Sequence, residues 1–281
     1  MKKRSKILEI VAAKDVIFAL AASGVCVAYL RGQRSNERLC FLNVSPYEVI
    51  RSLFFNKASN SIITVSVYKH DNFSSLNCRS TPLEYIRRRE PALGFSLFET
   101  ESLRFPGFVE FDDVNGKVLT YSAADKVYKV WDLKNYTHLY SITDDNIHEI
   151  KISPGIMLLI YHKASCGSHV PLKILSIDTG DVLKSFKHQL HRSRKMDFIE
   201  QFNEKLLVKQ EHEALNIVDI RTGERTEVSC SQFMTPSAFI FLYENQLFLT
   251  FRQRTVSVWN FRGEKVCPPF PELLLCGMRA S

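Results

Sequence analysis

KVLTYSAADKVYKVWDLKNYTHLYSIT, residues 117–143, contains three short runs of apolar and β-branched residues, at 117–123, 127–133 and 138–142. Polar residues that favour turns separate the three runs. Runs of this length between turn signals predict antiparallel strands joined as a meander. A further apolar run at 108–111 precedes them. The stretch therefore predicts a single four-stranded sheet.

Segments that resemble the one ending in Trp131-Asp132 recur at intervals of 41 to 47 residues. A period in the low forties is typical of four-stranded propeller blades, whereas TPR and ankyrin units recur at about 34 and 33 residues. The turns after three of the later segments contain Gly180, Gly223 and Gly263, and glycine readily adopts the positive φ of a tight reversal. The six segments end in Phe41-Leu42-Asn43, Leu83-Glu84-Tyr85, Val130-Trp131-Asp132, Ile174-Leu175-Ser176, Ile217-Val218-Asp219 and Val258-Trp259-Asn260.

The composition agrees with a sheet protein. Most apolar runs are short and rich in Val, Ile, Phe and Tyr, which favours strands over helices. The chain has 281 residues, of which 45% are hydrophobic, and can bury a large core as one domain. We predict an all-β propeller with about six blades. We expect the other blades at 16–44, 53–86, 149–186, 196–229 and 238–261.

Charge and cysteine content suggest the type of partner and the compartment. The net charge of +7 favours an acidic partner, either an acidic or phosphorylated protein surface or, as an alternative, a nucleic acid. The seven cysteines are scattered and form no CxxC pair, so neither a zinc site nor a disulfide framework is indicated. We expect free thiols, with Cys26, Cys40 and Cys230 in or beside apolar strands, and therefore a cytoplasmic or nuclear protein.

The N-terminal region has two interpretations. Residues 2–6 are basic and 16–30 are mostly apolar, as in a signal peptide or a membrane anchor. However, this apolar run is shorter than the roughly 20 residues that span a bilayer. We therefore interpret 16–21 and 25–30 as the first two strands of blade one, and 39–44 as the third. The run at 7–11 is our candidate for a strand that completes the last blade and closes the ring.

With these elements in place, the sequence resembles the WD40 repeat (transducin-like) family. The resemblance is carried by Trp131-Asp132, Trp259-Asn260 and the Asp-Thr-Gly and Arg-Thr-Gly turns. Residues 197–211 and 234–252 are similar to a group of plant transducin/WD40-like proteins, and this resemblance implies a propeller but no activity. Only one segment ends in Trp-Asp, and no repeat begins with Gly-His. We therefore expect apolar packing to replace the usual hydrogen-bonded network of the blades.

The two ends of the chain differ from the repeats. We predict a basic tail at 1–6, the propeller at 7–266 and an irregular tail at 267–281. The last segment contains Pro268, Pro269 and Pro271, which cannot donate to a sheet ladder. Because the resemblance implies at least one more blade, we expect a truncated or alternatively spliced end. A six-bladed ring closed by residues 7–11 is the alternative.

Motifs of catalysis are missing from the sequence. It contains no Gly-rich phosphate loop, no GxSxG elbow and no HExxH motif. His188 and His191 are the only close pair of histidines, and no further metal ligands lie near them in sequence. We therefore expect no cofactor, no metal, no small-molecule substrate and no enzymatic activity, and we expect no membrane partner. An enzyme that uses the central channel is the less favoured alternative.

The segment KHQLHRSRK, residues 187–195, is the main candidate for partner binding. We expect a loop here between blades four and five, close to the loops at 162–169 and 69–80. A basic rim with histidines is suited to an acidic peptide, a phosphate or RNA, whereas a solvated loop without a ligand is the alternative. On this basis we predict a non-catalytic scaffold or adaptor protein. The candidate residues are Lys187, His188, His191, Arg192, Arg194 and Lys195.

A second hypothesis concerns Val218-Asp219-Ile220-Arg221. Some WD40 substrate receptors of cullin ubiquitin ligases dock through a Trp-Asp-x-Arg ending, and the resemblance assigns Asp219 and Arg221 to such a site. The departure from this pattern is Val218, which stands in place of Trp. The basic trio Arg87-Arg88-Arg89 is also exposed in our interpretation, as a solvated turn.

Overall fold

A computed structural model of the protein describes residues 5–32, 37–99, 103, 107–162, 169–191, 193–242 and 244–267, without the side chains of 169, 187–189 and 267. These residues form six antiparallel sheets of four strands each, and in every sheet the strands follow one another in chain order. They lie in two compact units, Met1–Asp145 and Asn146–Ser281, with three sheets in each unit. The predicted fold class is confirmed: the chain is all-β and built from six four-stranded blades, numbered here as sheets one to six.

The first unit contains sheets one to three and a single short α-helix after β7. Two 3-10 turns, Lys69–Asp71 and Pro91–Leu93, complete its regular structure among the described residues. The strands and the helix are β1 (Ile7–Ala13), β2 (Val16–Ala21), β3 (Cys26–Leu30), β4 (Glu37–Phe41), β5 (Glu48–Asn56), β6 (Ser61–Tyr68), β7 (Leu76–Pro82), α1 (Leu83–Arg87), β8 (Phe95–Leu97), β9 (Phe108–Asp112), β10 (Lys117–Ser122), β11 (Val127–Asp132) and β12 (His138–Ile142).

Sheet one corrects two predictions. The run at 7–11 does not complete the last blade, because it lies in β1 and pairs antiparallel with β2 within sheet one. Lys14, with a φ of 57°, forms the tight turn between these strands. The segment that ends in Asn43 was predicted to be the third strand of its sheet. In the structure Asn43 follows the fourth strand, β4. No signal in the sequence marked this hairpin, because a lysine and not a glycine occupies the left-handed position of its turn.

Sheet two contains the largest error of the prediction. Residues 83–86 form α1 instead of a strand, and the third strand is β7, within a region predicted as a polar connection. Leu83 and Ile86 are buried, whereas Glu84 is exposed, and this spacing of three residues is helical. Both side chains belong to the core shared with sheet one. A segment of four residues is too short for its period to distinguish a helix from a strand.

Sheet three agrees with the prediction. Its strands β9 to β12 match the four predicted runs to within one residue at each end. In the turn after β11, Tyr136 adopts a φ of 58°, where three other turns have Gly180, Gly223 and Gly263 with φ between 77° and 79°. The Tyr136 hydroxyl accepts a hydrogen bond from Asn56 Nδ2 (2.8 Å), which fixes the ring against sheet two.

The second unit contains sheets four to six. Sheet five matches the prediction to within one residue at most strand ends, and sheet six has a fourth strand of its own, β24. Residues 268–281 of the predicted tail, like 1–4 of the basic tail, lie outside the described residues. The strands are β13 (Ile147–Ser153), β14 (Ile156–Tyr161), β15 (His169–Ser176), β16 (Val182–His191), β17 (Met196–Phe202), β18 (Lys205–Gln210), β19 (Leu215–Asp219), β20 (Arg225–Val228), β21 (Ala238–Leu242), β22 (Leu247–Arg252), β23 (Thr255–Asn260) and β24 (Lys265–Cys267).

Neighbouring sheets bury apolar side chains against each other within each unit. One core joins sheets one and two, around Phe18 and Ile62, and another joins sheets two and three, around Ile63 and Trp131. In the second unit a core around Phe248 joins sheets five and six. Packing of each sheet on the next is the expected source of stability in repeat proteins of this type.

The four cysteines whose side chains are described are free thiols, and Cys26 and Cys40 lie in strands β3 and β4 as expected. Cys26 and Cys78 are buried, and burial raises the pKa of the Cys26 thiol to about 12. Cys40 is half-buried, whereas Cys230, which we expected in or beside an apolar strand, is exposed. The buried thiols behave as small apolar side chains.

Candidate functional site

The predicted basic segment, residues 187–195, is not a single loop. Its first half continues β16, which pairs with β15 as far as the His169–His191 position. Arg192 lies outside the described residues, and of Lys187 and His188 only the backbone is described. The extension of both strands explains the error, because β15 begins at His169, earlier than expected.

The described side chains of this segment are held in local contacts. Gln210 accepts a hydrogen bond from the His191 N–H (2.7 Å) and donates to the carbonyls of His191 (2.8 Å) and Arg194 (3.2 Å). Arg194 forms an ion pair with Glu213, and His191 Nδ1 lies 2.7 Å from the Ser193 hydroxyl. The described part of the segment is therefore the end of β16 and the turn after it, held in place by these hydrogen bonds and by the ion pair. Partner binding by this segment stays a prediction.

Charge compensation continues beside this strand end. Lys209 is buried, and its ammonium group lies 3.2 Å from the Asp197 carboxylate. Burial raises the pKa of Asp197, but hydrogen bonds from Thr235 and Lys209 and the nearby Lys195 outweigh it, so the net shift is downward. A cation inside the fifth sheet was not foreseen, because Lys209 lies at the end of an otherwise apolar strand and no motif marks it.

The repeat anchors have structural roles in sheets three and six. Trp131 Nε1 donates to Thr120 Oγ1 (3.0 Å), and Trp259 Nε1 donates to Thr250 Oγ1 (3.0 Å). Each bond joins the third strand of a sheet to the second. A Trp–Thr hydrogen bond is thus present in both sheets, although we expected apolar packing to replace the network.

The residue that follows each of these tryptophans caps the next turn. Asp132 Oδ1 accepts from the N–H groups of Lys134 (2.7 Å) and Asn135 (3.1 Å). Asn260 Oδ1 accepts in the same way from Arg262 (3.0 Å) and Glu264 (3.0 Å). Side chains of Asp and Asn form such turns readily, so this position recurs for a backbone reason.

Asp219 occupies the equivalent position in sheet five. Its Oδ1 atom accepts from the N–H groups of Arg221 (2.9 Å) and Thr222 (2.9 Å), and Lys205 Nζ donates to Oδ2 (2.5 Å). The Lys205 hydrogen bond is the main reason why the pKa of Asp219 falls to about 2. Arg221 forms an ion pair with Glu204. These contacts account for both residues within their own sheet, and docking to a ligase adaptor stays a prediction.

The basic trio is also engaged in ion pairs. Arg87 donates to both carboxylate oxygens of Asp15, and Arg89 pairs with Glu37 (2.6 Å). Arg88 pairs with Glu84 one helical turn earlier. The trio therefore lies at the end of α1, and Arg87 and Arg89 connect the helix to sheet one.

A cleft at one end of sheets four and five brings several charged residues together. It has a volume of about 910 Å³ and is lined by the starts of β14, β16 and β18 and by the turn after β19. We call it the basic cleft. Its principal lining residues are Ile156, Leu183, Lys184, Glu204, Lys205 and Arg221.

The electrostatics of the basic cleft favour an anionic ligand. Of its charged lining residues, three are cations and one, Glu204, is an anion. Lys205 pairs with Asp219 and Arg221 pairs with Glu204. Within the described ranges, Lys184 has no carboxylate within ion-pair distance. Val182 and Leu183 beside it are 55% and 54% exposed, so apolar surface adjoins this cation.

The described part of the chain shows neither a cluster of metal-ligating side chains nor a helix that could span a membrane. No three His, Cys, Asp or Glu side chains come together there in an arrangement that could hold a metal ion. Equally, none of the helices in those ranges is long and apolar enough to cross a bilayer.

Comparison with known proteins places the chain in a family. Residues 1–277 match the family model described as Domain of unknown function (DUF7899), and the chain belongs to that family. No curated protein matches the sequence. The finer resemblance to WD40 repeats and to plant transducin/WD40-like proteins stays a prediction.

Three solved structures show a distant likeness. The computationally designed Ika8 protein is 14% identical over 94% of this chain and 87% of that chain, with a TM-score of 0.45. BamB from Moraxella catarrhalis is 14% identical over 92% of this chain and 71% of that chain, with a TM-score of 0.48. Raptor from Chaetomium thermophilum is 11% identical over 94% of this chain and 24% of that chain, with a TM-score of 0.46.

Proposed function

We propose that this member of the DUF7899 family is a non-catalytic protein-binding module, and that its basic cleft binds an acidic segment of a partner protein. The observation that carries the proposal is the position of Lys184. This cation lines a cleft with an excess of positive charge, and exposed Leu183 stands next to it in β16. A partner segment with a carboxylate beside an aliphatic side chain satisfies both groups at once.

The cations of the cleft contribute unequally to this proposed binding. Lys205 and Arg221 already have carboxylate partners, so a ligand carboxylate must share them with Asp219 and Glu204. Lys184 offers its charge without that competition from the described residues. Complementary charges raise the association rate and discriminate against basic partners. The aliphatic contact buries apolar surface of the partner and of Leu183 away from water. Lys184 is therefore the residue on which affinity depends most.

Selection from a random peptide library displayed on phage tests the proposal without a known partner. We expect enriched sequences to combine Asp or Glu with a neighbouring Leu, Ile or Val. Binding of the selected peptide, measured by fluorescence polarisation, should weaken about tenfold in Lys184→Glu and fall as salt is raised. Lys134→Glu, the same charge change at an exposed turn of sheet three, is the matched control and should bind as the unaltered protein does.

The opposite results are equally clear. Enrichment of basic peptides, or unchanged binding by Lys184→Glu, would show that the cleft does not select acidic segments. The cleft would instead be assigned to nucleic acid if an RNA oligonucleotide bound more tightly than the selected peptide and if that RNA binding were lost in Lys184→Glu but not in Lys134→Glu.

A further inference from the structure

A second opening lies at the other end of sheets four and five and is separate from the basic cleft. It is a cavity of about 420 Å³, lined by the ends of β14 and β16, by β13 and β15, and by the start of β17. We call it the histidine pocket, after His148 and His162 at its mouth. All of its lining residues belong to the second unit.

The walls of the histidine pocket are apolar and firmly held. Ile160, Val170, Leu190 and Ile199 line it, and each is 4% exposed or less. Val170 and Leu190 are direct partners in the ladder between β15 and β16. Sites for small molecules typically measure about 300–1,000 Å³ and are mostly apolar with a few polar groups. The size and lining of this pocket fall within that description.

The polar lining residues of the pocket are His148, Glu149, Tyr161 and His162. The two imidazole rings are 4.9 Å apart between centroids, with an angle of 56° between their planes. Glu149 lies in β13 and is paired, in the ladder between β13 and β14, with Ile160 of the apolar wall.

Glu149 carries the one formal charge among the lining residues when the histidines are neutral. Lys151 lies 3.8 Å from its carboxylate but also 3.4 Å from Glu200, so it compensates Glu149 only in part. A carboxylate accepts hydrogen bonds and repels anions. The mouth of the pocket therefore favours a ligand group that donates a hydrogen bond. It disfavours a ligand carboxylate, which Glu149 repels.

From this combination we infer that the histidine pocket binds a small molecule with an apolar body and a hydrogen-bond-donating head, such as a phenol or an amine. The body contacts Ile160, Val170, Leu190 and Ile199, and the head donates to Glu149. Met196 stands at the rim, where its flexible side chain adapts to bodies of different shape. The inference does not depend on the proposed function, because the basic cleft shares no lining residue with this pocket.

A matched series of three probes tests the inference: 4-propylphenol, propylbenzene and 4-propylbenzoate. The three share one body and differ in the head. Isothermal titration calorimetry should rank the affinities in the order given, with the phenol about tenfold tighter than the benzoate. In Glu149→Gln the charge is lost while an acceptor oxygen remains, so the difference between phenol and benzoate should shrink to about threefold or less.

Two variants separate the pocket from non-specific binding. Val170→Phe places a ring in the cavity and should abolish binding of all three probes. Met196→Trp, at the rim, serves the same purpose if Val170→Phe fails to fold. Lys184→Glu leaves the pocket untouched and should bind the probes as the unaltered protein does. Equal affinity for the three heads, no effect of Glu149→Gln, or binding that survives a filled pocket would each overturn the inference.

Discussion

The boundary between sheets one and two and the boundary between sheets five and six join the same kind of sheet by different chemistry. At the first boundary, Asn43 Oδ1 accepts from the Cys26 N–H (3.0 Å), and its Nδ2 donates to the carbonyls of Gly24 (3.0 Å) and Glu48 (3.1 Å). The buried Glu48 carboxylate accepts from Ser66 Oγ (2.7 Å) and the Val44 N–H (2.7 Å). These bonds are added to a core that is mostly aliphatic and contains Phe18.

At the second boundary aromatic rings take this role. Phe202 lies 5.0 Å from Phe241 and 4.7 Å from Phe261 between ring centroids. Phe198 contacts Phe239 at 4.6 Å. Rings at these separations add attraction beyond the area they bury.

The difference shows what each boundary specifies. Hydrogen bonds from one amide to three backbone groups are directional, so they fix how β4 and β5 follow each other. Gly24 fits this approach, since a Cβ atom there would lie 2.3 Å from Val49 Cγ1. Ring packing is less directional and stabilises through buried area. We expect the aromatic boundary to lose more stability from one truncation and the polar boundary to tolerate isosteric changes less well.

The largest effect is expected for Phe202→Ala. The ring is fully buried, and its removal should lower the free energy of unfolding of the second unit by about 3–5 kcal/mol. The chain has two tryptophans, one in each unit, so a Trp131→Phe background leaves Trp259 as the reporter in urea unfolding. Phe202→Leu, which keeps an apolar side chain, should lose about half as much or less. Equal losses in the two variants would show that ring contacts do not hold this boundary.

A smaller effect is expected for Asn43→Ala in the first unit. Three backbone groups lose a hydrogen bond, although the Gly24 carbonyl keeps the one from the Ile50 N–H (2.9 Å). The free energy of unfolding should fall by about 2 kcal/mol, because Asn43 is only half-buried. Trp131, in a Trp259→Phe background, reports this unfolding. Asn43→Asp has the same shape but turns an oxygen toward the Gly24 and Glu48 carbonyls, so it should lose at least as much. Full stability of Asn43→Asp would remove the distinction between the two boundaries.

Sequence reasoning succeeded where a local signal repeats. Most strands of sheets three, five and six have five to seven residues, several of their turns contain Gly or Asp, and their period in the low forties carried the fold class. The aromatic character of 239–241 is also visible as a run. The features that recur in the sequence here are turn residues whose side chains cap the backbone and the alternation of buried and exposed residues along several of the strands.

The same reasoning failed where long-range contacts decide. Nothing local shows that Leu83 and Ile86 pack on sheet one as a helix, or that Asn43 spans three backbone groups. The basic segment lies at the end of a strand rather than in a single loop, and partner binding by it stays a prediction. The lining residues of the basic cleft run from Pro154 to Gln246 in the sequence, and those of the histidine pocket run from His148 to Ile199. No spacing rule joins such residues before the sheets are packed.

The smallest effect concerns Arg87→Met, which removes the ion pair between α1 and sheet one. The hydrogen bond from Arg87 holds the pKa of Asp15 below its ordinary value of 3.8. Since both side chains are partly exposed, the loss for the first unit at pH 7 should be under about 1 kcal/mol. A lowered carboxyl pKa stabilises the fold above pH 3.8 and ceases to do so as pH falls through the lower folded value. The difference between Arg87→Met and the unaltered chain, followed by Trp131 fluorescence, should therefore shrink between pH 5 and about pH 2. Arg88→Met is the control, because its partner Glu84 lies within α1, and a difference for Arg87→Met that stays constant down to pH 2 would show that the ion pair does not join helix to sheet.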